Sequence, residues 1–388
     1  MTAFIYDAVR TARGKARPDG GLAAQKPQDL VAALVAAIGS RVGAALAPEA
    51  LILGCVGQIG AQGGNLALVS KLAAGLDEGA SAFTVNNYCV SGLTVIGQAA
   101  AMVASGQAGS ALAGGVEMMS AVPFLADKAS YYTDASFPPR TRFLPVALAA
   151  DRLAEDEGIS REEMDALALL SQRRAAGAEG TTLTASRIPV AGLDREESVR
   201  ATSAEALAAL APAFAELAGA YAEALQGRRL DHRHTIAHAP PMCDGAALAL
   251  VGAEGVVEAA PRARILAWAE VGGDPAASLT AGFAAMDRAL DRAGLRLEQM
   301  DRIEFMEAFG VTIAKFMRDC GPDPDKVNVS GGHMAKGHPL GASGAILLST
   351  LLDALDASGG RYGLVVATGA SGTGSAMIVE RQGIEPWT

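Results

Sequence analysis

Cys89 to Gly115 reads CVSGLTVIGQAAAMVASGQAGSALAGG, and Leu340 to Gly369 reads LGASGAILLSTLLDALDASGGRYGLVVATG. Each opens on Ser-Gly and runs through an apolar helical stretch of about four turns. Each then stops at a second Ser-Gly, continues as an apolar strand and closes on glycine. Gly92 aligns with Gly344, Gly106 with Gly359 and Gly115 with Gly369, at separations of 252 to 254 residues. Any two βα units look alike, but a separation that barely drifts favours duplication of one half-molecule.

The same rhythm extends outward. Phe4 to Ala8 reads as a strand, Asp29 to Val42 as a helix, Leu51 to Gly54 as a strand and Leu66 to Ala74 as a helix. Strands alternating with helices predict an α/β fold, a mainly parallel sheet covered by helices. Between the halves the composition changes. Residues 121–240 carry Asp, Glu, Arg and Pro, with helical stretches predicted from Ser160 to Ala176 and from Thr202 to Leu225. Ser160 followed by Glu163 is a capping-box pattern. The domain plan is an N-terminal half over 1–256, carrying the insertion 121–240, and a C-terminal half over 257–388. The insertion reads either as a lid or binding subdomain or as a solvated surface excursion.

The chain has 388 residues and a net charge of −10, with 50% hydrophobic and 19% charged residues, which excludes a disordered polymer. Aromatics are 5% against 45 glycines, so small side chains fill the core and let layers approach closely. No basic face offers itself to phosphates, so no nucleic-acid partner is expected. Four well-separated cysteines, no leader pattern at the N-terminus and no uninterrupted apolar run of membrane length lead to a cytoplasmic protein with no membrane association.

Cys89 follows the strand-like AFTVNNY and precedes Ser91-Gly92 at a helix start. Free backbone N–H groups and the positive end of a helix dipole lower a thiol pKa and can hold an oxyanion. A nucleophile is therefore predicted at Cys89, and an inert core thiol at Cys55. His338, in GGHMAKGHPLGASG, sits in a glycine cradle with Pro339 behind it, a setting suited to the base of a distant cysteine. His232, His234 and His238 have no common structural-zinc spacing, so no metal is expected. Gly369 to Gly374 (GASGTG) leads into a strand rather than a helix, and GHPLGASG lacks Gly-Lys-Ser/Thr. Neither dinucleotide nor ATP is expected, and no resident cofactor.

With these residues in place the chain resembles the thiolase family over almost its whole length. VRTARGK, NNYCVSGL, AGGVEMMS, CDGAALAL, MEAFG and NVSGGHMAKGHPLGASGA occur in the family's order. The resemblance implies two βαβαβαββ halves, each a five-stranded sheet with helices, stacked as five layers αβαβα. It also implies a loop domain that binds coenzyme A as substrate or product, and a tight homodimer or homotetramer. Cys89 would be the acylated nucleophile, His338 its base, and the N–H groups of Cys89 and Gly372 an oxyanion hole.

Three positions depart from the family pattern. The second cysteine, which shuttles the α-carbon proton, falls on Ala370. The asparagine of Asn-Glu-Ala-Phe, which holds a water, falls on Met306. The serine beside the pantetheine arm falls on Pro240, next to Ala239. Acylation of Cys89 survives these changes, whereas carbon–carbon chemistry loses a proton carrier worth about 10²–10⁴-fold in rate. His333 and Glu307 are the expected substitutes. The leading reading is an acyl-CoA acyltransferase acting through an acyl-Cys89 thioester. An acyl-CoA thioesterase-like hydrolase and a degenerate acyl-CoA-binding subunit remain open at this point.

Overall fold

A computed structural model describes residues 2–383. The first half runs β1 (Phe4–Thr11), α1 (Pro27–Val42), β2 (Ala50–Gly54), α2 (Leu66–Ala73), β3 (Ser81–Val85), α3 (Ser91–Ser105), β4 (Ser110–Met118) and, after the insertion, β5 (Cys243–Gly252). The insertion contributes α4 (Val146–Asp156) and α5 (Arg161–Ala178). The second half runs β6 (Ala263–Gly272), α6 (Ala281–Ala293), β7 (Arg302–Phe305), α7 (Gly310–Cys320), α8 (Ser343–Ser358), β8 (Tyr362–Gly369) and β9 (Thr373–Arg381). The strands order as β3-β2-β4-β5-β1 and β6-β9-β8-β7, two mirrored series joined where Phe4 and Ile5 of β1 pair with Arg264 and Ala263 of β6. The expected fifth strand of the second series shrinks to one bridge, Ile303 to Val327.

The duplication read from the sequence is thus the symmetry of the fold. Helices α3 and α8 pack against each other and against strands of both series, so they form the central layer. Helices α1 and α2 cover the outer face of the first series, and α6 covers the second. Both central helices are long and apolar enough for a membrane, yet the fold buries them between its sheets. Their C-caps, Gly106 and Gly359, take φ of +77° and +67°, conformations that side chains rarely accept, which is why Ser-Gly ends both stretches.

Glycine also sets how closely the central helices meet. A Cβ on Gly92 would stand 2.8 Å from the Gly341 carbonyl oxygen, and one on Gly344 would stand 2.5 Å from the Leu93 nitrogen. Only hydrogen fits there, so the two helix starts abut backbone to backbone. The residues just before them, Cys89 and His338, are brought to one place by this contact.

The capping box at Ser160 forms: its side chain accepts from the Glu163 N–H, and the Glu163 carboxylate accepts from the Ser160 N–H at 2.7 Å. The helix expected from Thr202 to Leu225 does not. It breaks into Ala204–Ala208 and a 3-10 segment, Ala215–Tyr221. Pro212 lies between them, and proline removes a donor and clashes with the preceding turn.

Candidate active site

Cys89, His338 and Ala370 line one cavity of about 830 Å³. Its inner walls come from both halves, through Met119, Leu279, Ala308, Phe309 and Leu340, and from the insertion, through Phe124, Val146 and Phe214. Ala239 and Pro240 line it too, as do Pro241 and Met242 next to them. The exposed cations Lys15, Arg17 and Arg200 border the same space.

The start of α3 is fixed by polar contacts. Asn87 N–H donates to Ser91 Oγ at 2.7 Å, and the Ser91 hydroxyl donates to the Tyr88 carbonyl at 2.6 Å. Glu270, half-buried on β6, accepts from Thr94 at 2.8 Å and from the Asn87 amide at 3.2 Å. The N–H groups of Cys89 itself and of Ala370 point at the sulfur. They nonetheless lose to desolvation: burial pushes the Cys89 thiol up to about 12, with the Glu117 charge adding to it. The expectation of a lowered thiol pKa is therefore corrected. A buried sulfur at a helix start has the dipole but not the water that a thiolate needs.

His338 is also neutral. Burial first, then the charge of Arg13, pushes the imidazole down to about 3. Its Nδ1 pairs with Ser343 Oγ at 2.7 Å, and its backbone N–H donates to the Pro241 carbonyl at 2.9 Å. The resting pair is thus thiol and imidazole, and the proton moves only when a thioester carbonyl takes up charge.

The loop carrying His338 is held from behind. Arg13 donates to Glu196 at 2.9 and 3.0 Å and to the Gly337 carbonyl at 3.1 Å. Burial opposes the Glu196 charge, but Arg13 overrides it and lowers this carboxyl to about 2. Beside them lie Lys336 and Glu304, both fully enclosed, with burial pulling the lysine down to about 8 and the glutamate up to about 7. Glu117 is the matching clamp on the other half. Its carboxylate accepts from the N–H groups of Val56, Gly57 and Gly341 at 2.9 to 3.0 Å, tying the first half to the start of α8. Cys55 points its thiol at Glu117, 3.6 Å away; burial holds it well above its ordinary pKa, and unlike Cys89 it does not line the cavity. In VRTARGK and AGGVEMMS the positioning work of Arg13 and Glu117 shows only once the chain is folded. The signal for Glu117 was a single charge ending an otherwise apolar strand.

Neither expected substitute for the absent thiol faces the cavity. Glu307 is enclosed on the far side of its motif, accepting from Ser171 Oγ and the Met334 N–H, each at 2.9 Å, and from Asn328 at 3.3 Å. It holds the loop of His333 rather than a substrate. The His333 ring is fully buried, its centroid 5.0 Å from that of His338 and its plane tilted by 43°. Met306 is buried in the central core and does not line the cavity. Gly372 sits at φ +77° with its carbonyl accepting from Gly273 N–H at 2.7 Å, and the N–H that meets the Cys89 sulfur from this loop belongs to Ala370, two residues before it. Among the described residues no acidic, His or Cys group has a metal-binding arrangement. His232 and His234 bond Asp151 at 2.7 and 2.8 Å, and His238 bonds Asp165 at 2.7 Å.

The arrangement can take an acyl group onto Cys89, with His338 as proton acceptor and two backbone N–H groups around the reacting atoms. Known proteins match the chain over nearly its whole length. The family profile "Thiolase, N-terminal domain" matches residues 3–254, and "Thiolase, C-terminal domain" matches 259–381. The acetyl-CoA acetyltransferase of Escherichia coli is 37% identical over 97% of this chain and 98% of its own length. A steroid 3-ketoacyl-CoA thiolase of Mycobacterium tuberculosis is 34% identical, over 98% of this chain and 94% of its own. A beta-ketoadipyl-CoA thiolase of Acinetobacter baylyi is 36% identical, over 98% and 99%.

Proposed function

The chain belongs to the thiolase family, and from that premise we propose that it is an acyl-CoA acyltransferase working through a thioester on Cys89. One observation carries the reading: the nucleophile, the neutral base and two inward N–H groups meet at the wall of a single cavity large enough for a pantetheine arm. A 3-ketoacyl-CoA enters past Ala239 and Pro240, and Cys89 loses its proton to His338 as it adds to the ketone. Ala370 N–H and Cys89 N–H stabilise the oxyanion, its collapse breaks the C2–C3 bond and expels acetyl-CoA once C2 takes a proton, and the acyl group left on Cys89 then passes to the thiol of a second CoA. Its named relatives are acetyltransferases and thiolases, which supports transfer over hydrolysis.

Two copies pair along β3 in this reading. That strand lies at the end of the sheet, and Phe83 is 38%, Leu68 40% and Leu72 66% exposed, an apolar edge suited to a partner. The four free thiols suit a reducing cytoplasm. The decisive assay mixes the enzyme with acetoacetyl-CoA, with and without free CoA. CoA-dependent formation of two acetyl-CoA supports the proposal. CoA release without an acceptor overturns it in favour of hydrolysis, and absence of any turnover reduces the chain to a binding subunit.

A further inference from the structure

The transfer chemistry proposed above needs a proton at the α-carbon, and Ala370 has none to give. Tyr88 stands directly before the nucleophile and lines the same cavity as Cys89, His338 and Ala370. Its phenol meets the side chain of Ser371, the residue after Ala370. Both residues are held against backbone preference: Tyr88 at φ +48° and Ser371 at φ +55°. Hydrogen bonds fix them there, from the Tyr88 N–H to Asn86 Oδ1 at 3.0 Å and from the Ser371 N–H to Ser278 Oγ at 3.0 Å. A Cβ on Gly369 would lie 3.4 Å from Cys89 Cβ, so this loop presses directly on the nucleophile. Tyr88, Cys89 and Ala370 thus border the cavity that an acyl chain on the nucleophile would occupy.

We propose that Tyr88 supplies, from beside the nucleophile, the proton that the residue at 370 cannot. The inference rests on the thiolase reading. Cys89, deprotonated by His338, adds to the 3-keto carbon, and the C2–C3 bond breaks with its electron pair passing to C2 of the departing acetyl-CoA. The Tyr88 O–H bond then breaks, its proton goes to C2, and acetyl-CoA is complete. The phenolate takes the proton of the incoming CoA thiol, whose sulfur attacks the acyl-Cys89 carbonyl. Cys89 leaves as thiolate and recovers its proton from His338, so the enzyme returns to its starting state. Burial raises the phenol's pKa, and the nearby Tyr131 and Asp127 raise it further against the opposing Ser371 contact. A phenol so placed is protonated at rest, the state from which it can give its proton to the strongly basic C2 of the departing acetyl-CoA.

The test separates acylation from α-proton transfer. Acetylation of Cys89 by acetyl-CoA, read by intact mass, requires no α-proton. Exchange of the acetyl-CoA methyl protons in D₂O requires one. Tyr88→Phe should retain acetylation while exchange and acetoacetyl-CoA thiolysis fall about 10²-fold or more. Ala370→Cys in the Tyr88→Phe background should restore exchange. In the parent, Ala370→Cys should raise exchange less than about threefold, because a donor is already present, and this arm stands even when Tyr88→Phe folds poorly. Exchange within threefold of the parent in Tyr88→Phe, loss of acetylation together with exchange, or a large gain from Ala370→Cys alone would each overturn the assignment. A parent that is never acetylated refutes instead the function on which the inference rests.

Discussion

Gly344→Ala isolates what brings the two halves of the site together. The added Cβ would meet the Leu93 nitrogen at 2.5 Å and Leu93 Cβ at 2.7 Å, whereas ordinary contact begins at 3.4 Å. The obstacle is backbone, which cannot rotate away, so the starts of α3 and α8 must part by nearly 1 Å. Alanine gains about 1 kcal/mol in helix propensity over glycine, while overpacking costs about 1–3 kcal/mol. The net is a loss of about 0–2 kcal/mol, which for 388 residues at about 2.1 cal/mol/K of unfolding entropy per residue is a shift of at most about 2–3 °C in Tm. The kinetic loss should be larger than the thermal one. A displacement of about 1 Å between reacting groups costs on the order of 10²-fold in rate. Thermal unfolding and the rate of Cys89 acetylation, measured on the same preparation, give both numbers. A Gly344→Ala protein that matches the parent in acetylation rate would refute the claim that this backbone contact sets the Cys89–His338 geometry.

Glu196→Gln leaves the buried Arg13 without its charge partner and should cost about 3–5 kcal/mol in urea unfolding, with slower acetylation because Arg13 also holds Gly337. Stability from Glu196 is present above its ordinary carboxylate range and is lost as pH falls toward 2, so the variant should lose its acid-dependent transition in that window. The acetylation rate should stay flat from about pH 5 to 9, since His338 protonates only near 3 and Cys89 ionises only near 12, and a limb near neutrality would show a preformed thiolate–imidazolium pair. Alkylation of Cys89 by iodoacetamide should correspondingly climb about tenfold per pH unit with no plateau below pH 10. Phe83→Glu should convert a dimer to monomer by light scattering, and an unchanged mass would move the interface away from β3.

The fold was legible because its decisive feature is a repeat. Ser-Gly starts and Ser-Gly stops recur since the two central helices meet the same constraints: backbone contact at Gly92 and Gly344, left-handed caps at Gly106 and Gly359. Cys89 and His338 were legible because each stands in the loop before one of those helices. The segment around Pro212 was not, since alanine-rich composition imitates a helix until proline interrupts it. Thiol ionisation was misjudged for a different reason. A dipole is visible in sequence, but desolvation depends on what the other half-molecule places over the sulfur. Tyr88 escaped attention because its partner, Ser371, lies 283 residues away along the chain, and only the fold makes them neighbours.

The central claim is a covalent acyl group on Cys89. Incubation with acetyl-CoA, acid quench and peptide mapping tests it directly. The account expects one acetyl adduct, located on Cys89, discharged by free CoA and absent in Cys89→Ala. An adduct on Cys55, Cys243 or Cys320, or no adduct while turnover proceeds, would contradict it.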